Sequence, residues 1–70
     1  MINYKEAGYR IQTQRKILGL TQEVVSEKIG ITPSFFSQIE SGTRKAGIKT
    51  FVSISKILGI SLDYIFDIKT

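Results

Sequence analysis

The 70-residue sequence predicts an all-α fold, a compact bundle of five short helices. Three observations carry that expectation. Gly19, Gly30, Gly42 and Gly59 close segments with helical apolar spacing, at the position after a helix where a left-handed residue is wanted. Thr21, Thr32 and Ser61 follow three of those stops by two residues, and their side-chain oxygens can accept from the first free amides of a new helix. No segment alternates apolar and polar residues over a long run between hairpin turns, so strands find no support.

Each element has its own apolar stripe. On the first helix it is Ala7, Ile11 and Leu18, and on the second Val25, Ser26 and Ile29. Phe36 and Ile39 mark the third, which spans about 33–41 and opens with Pro33, the sole proline, at a position where its missing N–H costs nothing. Ile48, Phe51, Ile54, Ser55 and Leu58 line the fourth; Leu62, Ile65 and Phe66 line a short fifth. The connections are too short for parallel crossovers, so the helices must wrap around one core. The whole of 1–70 reads as a single domain, since a chain of this length holds one core and no more.

Composition removes several classes of function. With no Cys and no His there is no disulfide framework, no zinc finger, no thiol nucleophile and no imidazole base. No carboxylate pair stands out for acid and base roles, so the chain reads as a non-enzyme without metal or other cofactor, and no small-molecule ligand is evident. The apolar runs are far shorter than the roughly 18 residues of a membrane span, and the N-terminus has no signal-peptide core. A soluble, cytoplasmic protein is expected. Ten Lys and Arg against six Asp and Glu give a net charge of +4, which favours an anionic partner.

Two charges fall on inward faces. Arg15 is four residues after Ile11, and Glu40 four after Phe36. An unpaired buried charge costs several kcal/mol, so the economical arrangement is an Arg15–Glu40 pair joining the first and third helices by a bidentate fork; the alternative is that both side chains snorkel to solvent.

From Thr21 to Ile39 the order is capped helix, glycine stop, tight turn, capped helix, which is the layout of a helix-turn-helix. Here the residues carry a resemblance. The run GLTQEVVSEKIGIT, then SFFSQIESG and KTFVSISKILGISLDYIF, resembles the helix-turn-helix domain of lambdoid phage repressors, Cro proteins and many bacterial transcriptional regulators, over about 8–66.

The resemblance implies a transcriptional regulator, a repressor by analogy, that binds duplex DNA through the third helix. It implies that Gln22, at the positive end of the second helix, contacts phosphate. The outward face of the third helix would meet the major groove, with Thr32 and Pro33 at its start and Ser34, Phe35, Ser37 and Gln38 along it. Gln38 can bond bidentately to adenine and is the chief base-reading candidate. Ser34 and Ser37 discriminate poorly, and Phe35 either folds onto the core or packs on thymine methyl groups. Thr43, Arg44 and Lys45 gather donors where the family's loop approaches the DNA backbone.

Two departures from the family pattern stand out. Ala46-Gly47 replaces a common Pro-Ser before the fourth helix and weakens its cap. Ser26 replaces a common alanine, and its hydroxyl is expected to bond the carbonyl four residues earlier.

One short helix reads only a few base pairs, so a symmetric homodimer on a near-palindromic, operator-like site is expected. Ile60, Tyr64 and Ile68 lie off the fifth-helix stripe and form either a dimer contact or scattered surface apolar residues. The competing function is a protein-interaction module, an antitoxin or anti-regulator with Phe35 and Val24 as its contacts.

Overall fold

The computed structural model describes residues 2–68. Five helices follow one another: α1 Tyr4–Ile17, α2 Gln22–Ile29, α3 Pro33–Ser41, α4 Ile48–Leu58 and α5 Leu62–Phe66. No strand occurs among the described residues. Gly19, Gly30, Gly42 and Gly59 have φ of 72°, 77°, 76° and 68°, so each ends its helix in the left-handed conformation. Thr21 and Thr32 accept from the backbone N–H of Val24 and Phe35, both at 3.1 Å, and Ser61 accepts from Tyr64 N at 3.0 Å. Asn3 caps α1 in the same way, accepting from Glu6 N at 3.1 Å. Helix α4 has Gly47 at its N-cap and so no side-chain cap, the consequence of the Ala46-Gly47 sequence.

The core draws on every helix: Ala7 and Ile11, Val25, Phe36 and Ile39, Phe51, Ile54 and Leu58, and Ile65. An aromatic cluster closes one end, where Phe51 and Phe66 meet edge to face at 4.8 Å between ring centroids and Tyr4 lies 6.3 Å from each. Helices α1 and α3 approach so closely that a Cβ on Gly8 would overlap the carbonyl oxygens of Ile39 and Glu40. The α3 terminus is equally tight, since a side chain at Gly42 would run into the backbone of Lys5. These two contacts fix α3 against α1 along its last turn.

Three details differ from the sequence reading. Leu18 is 46% exposed, because α1 stops at Ile17 and Leu18 is its C-cap, outside the helical stripe. Ile48 is 64% exposed, because it is the first residue of α4 and precedes the turn that meets the core. Ser26 is buried as its stripe requires, but its hydroxyl donates to Glu23 O, three residues earlier, at 3.0 Å.

Candidate nucleic-acid interface

Helix α3 shows two unlike sides. Phe36, Ile39 and Glu40 are buried, whereas Pro33, Ser34, Ser37, Gln38 and Ser41 are exposed. Glu40 is the sole charged residue of α3, so the exposed side is uncharged: three hydroxyls of low profile and one long amide, Gln38. Such a surface can enter a groove lined by phosphates without a charge penalty. Thr32 is exposed at the head of the helix, with its hydroxyl engaged in the α3 cap.

The buried end of α3 is held by a network centred on Glu40. Arg15 Nε donates to Glu40 Oε2 at 2.7 Å and Arg15 Nη2 to Oε1 at 3.1 Å, a two-pronged contact between α1 and α3. The remaining Arg15 nitrogen, Nη1, donates to Leu20 O at 2.8 Å. Oε1 of Glu40 also accepts from Gln22 Nε2 at 2.8 Å and from Gln12 Nε2 at 3.4 Å. Every polar atom buried in this network has a partner. Gln22 is half-buried, with one amide hydrogen committed to Glu40 and a second that this network does not use.

The loop after α3 supplies the cations. Gly42 turns the chain, and the N–H groups of Thr43 and Arg44 both return to Gln38 O, at 3.1 and 3.3 Å. Thr43 Oγ1 and Ser41 Oγ lie 2.8 Å apart. The Arg44 guanidinium sits over the Phe35 ring at 5.1 Å from its centroid, and Lys45 Nζ sits over Tyr4 at 5.2 Å. Phe35 is thus half-buried, packed on the core below and roofed by Arg44, which accounts for a large apolar ring on this side of α3. Thr43, Arg44 and Lys45 are themselves exposed.

The three C-terminal residues taken together in the sequence part company. Ile60 is half-buried and packs on the core. Tyr64 is exposed, and Arg10 lies over its ring at 5.3 Å while donating to Tyr64 O at 2.7 Å. Ile68 is exposed elsewhere, at the rim of an apolar hollow of about 240 Å³ shared with Ile2, Tyr4, Ile48, Leu62 and Phe66. Ile68 follows the α5 stop at Asp67, with φ 52°, and so lies off the α5 helical path.

Two participants were not read from the sequence. Gln12 precedes Arg15 by three residues and so shares its side of α1, a spacing that could have flagged it. Arg10 also pairs with Glu6 at 2.8 Å, and its reach to the α5 terminus had no sequence signal. Among the described residues no group of three or more His, Cys, Asp or Glu could hold a metal ion, and no helix is long and apolar enough to cross a membrane.

Residues 8–69 match the family model described as a helix-turn-helix domain. The chain belongs to that family. It is 43% identical over 51 residues to the uncharacterized HTH-type transcriptional regulator YqaE of Bacillus subtilis (strain 168), an alignment covering 73% of this chain and 44% of YqaE. The chain thus spans less than half the length of that regulator. Among solved structures it resembles the P22 c2 repressor crystallised with a synthetic operator, with a TM-score of 0.81 and 28% identity over 86% of this chain and 91% of that one. The restriction-modification controller C.AhdI of Aeromonas hydrophila has the same fold, with a TM-score of 0.83 at 24% identity over 90% of this chain and 96% of the controller. The five-helix architecture is therefore that of the lambda-repressor-like helix-turn-helix proteins.

Proposed function

We propose that this helix-turn-helix domain binds a specific duplex DNA site, with α3 in the major groove, as part of a cytoplasmic, nucleoid-associated transcriptional regulator that represses. The observation that carries the reading is the α3 surface, uncharged, low in profile and centred on Gln38, with Arg44 and Lys45 beside it and a buried ion pair behind it. Gln38 would donate to and accept from an adenine edge, Ser34 and Ser37 would bond base edges or phosphates, and Thr43, Arg44, Lys45 and the remaining amide hydrogen of Gln22 would hold the backbone. The P22 c2 repressor, with a similar fold, was crystallised on an operator, which supports the same mode here. No chemical step is involved.

A symmetric homodimer fits this reading, with the hollow bounded by Ile2, Ile48 and Ile68 as the twofold contact. Three exposed isoleucines around one hollow are the kind of surface that a second copy would cover. The protein-partner reading draws less support, since Phe35, one of its two anchors, is already covered by Arg44.

Selection of bound fragments from a random duplex library tests the proposal. A near-palindromic consensus with half-sites about 34 Å apart, one helical turn, is expected. Recovery of no consensus, with binding equal on all duplexes, would count against specific reading.

A further inference from the structure

The outer side of α1 carries a row that the α3 surface leaves unexplained. Lys5, Tyr9 and Lys16 are all exposed, Tyr9 at 65%. Separations of four and seven residues stack them along one side of the helix, and Gln12 continues the row between Tyr9 and Lys16. At 1.5 Å per residue the row is about 16 Å long.

Its neighbours fix its place. The Lys5 backbone lies against Gly42, Gly8 lies against the carbonyls of Ile39 and Glu40, and Gln12 donates to Glu40 at 3.4 Å. The row therefore runs beside α3 on the flank where Glu40 is buried. Among the described residues neither Lys5 nor Lys16 makes an ion pair. Glu40 is enclosed and neutralised by Arg15, and Glu6, on the next strip of α1, is bound to Arg10 at 2.8 Å. A tyrosine standing open between two lysines contributes little to the core, yet its hydroxyl and the two ammonium groups are all phosphate donors.

We propose that Lys5, Tyr9 and Lys16 form a second contact with the sugar-phosphate backbone, on duplex flanking the base pairs that α3 meets. This rests on the DNA-binding reading of α3 and extends it. The row reads no sequence. It lengthens the footprint on one side and raises affinity equally for all flanking sequences, so the preference among sites is left to α3.

The test uses Lys5→Gln with Lys16→Gln, and separately Tyr9→Phe, titrated on selected duplexes with long flanks and on the same duplexes trimmed to the consensus. On long duplexes the double variant should bind more weakly, and the slope of log affinity against log salt should shrink by about two units per protomer, near 0.9 for each lost contact. Tyr9→Phe should weaken binding to a lesser degree with an unchanged slope. On trimmed duplexes the variants and the parent should converge, and the ratio of matched to scrambled binding should stay constant throughout. Unchanged affinity and slope in the variants would overturn the second contact alone, as would a difference that persists on trimmed duplex or a loss of sequence preference. A parent that binds no duplex would remove the α3 reading, and the row's proposed role with it.

Discussion

Gln22 donates its side-chain amide to Glu40 at 2.8 Å, on the same carboxylate oxygen that Arg15 Nη2 reaches at 3.1 Å. The first residue of α2 is thereby tied to the buried end of α3, with α1 as the third party. A displacement of any one helix breaks a bond to a buried charge, so the outward angle of α3 is set from inside the molecule.

The first expectation concerns that clamp. Arg15→Ala or Glu40→Ala alone should destabilise the fold by about 3 kcal/mol or more, because each leaves a buried charge unpaired. The double replacement should cost less than the sum. Chemical denaturation of the four proteins closes a double-mutant cycle, and a coupling near zero would mean that the pair is not formed in solution.

Gln22→Ala should be milder, about 1 kcal/mol, since Glu40 keeps both Arg15 bonds. Denaturation midpoints measure this. A loss as large as that of Arg15→Ala would make Gln22 an equal member of the clamp.

Gly8→Ala should destabilise by at least about 2 kcal/mol, because the methyl group overlaps the Ile39 and Glu40 carbonyls and α3 has to move away. Thermal unfolding and DNA titration should fall together. A Gly8→Ala protein with parental stability would mean that α1 and α3 stand further apart in solution.

Pairing of protomers should depend on the apolar hollow. Ile48→Asp should keep the fold, as Ile48 is 64% exposed, yet load one protomer where the parent loads two on a palindromic duplex. Tyr64→Asp serves as the contrast, since Tyr64 lies outside the hollow and beneath Arg10. Sedimentation with and without duplex gives both stoichiometries, and loss of pairing in the Tyr64 variant alone would move the contact to that side of α5.

Much of the architecture was legible because helix ends are local chemistry. Thr21, Thr32, Ser61 and the four glycines act on amides and carbonyls within a few residues of themselves, so their positions in the chain suffice. Arg15 and Glu40 were conspicuous for a different reason, being charges on apolar stripes. What the sequence withheld depends on which elements meet in space. Ile60 and Tyr64 have similar spacing relative to the α5 stripe, but one rests on the core and the other under Arg10, a residue 54 positions away. The Gln22–Glu40 bond is of the same kind: the turn between α2 and α3 could be read, but no spacing within either helix marks the start of α2 as reaching the far end of α3. Phe35 could be read two ways from the sequence, and its cover by Arg44 follows from the turn at Gly42, which no periodicity describes.

Base reading by α3 is the central claim, and Gln38→Ala tests it most directly. Gln38 is exposed on α3 and distant from the core, so the variant should fold as the parent does. Titrations on the selected duplex, on duplexes changed at single positions and on scrambled sequence should show a loss of about 1–3 kcal/mol on the selected site, little loss on scrambled duplex and relaxed preference at one base pair per half-site. Arg44→Ala, run alongside, should instead weaken all sequences by a similar factor and shrink the salt slope by about one unit per half-site. A Gln38→Ala protein that keeps full preference at every position would contradict the assignment and shift base reading to Ser34 and Ser37.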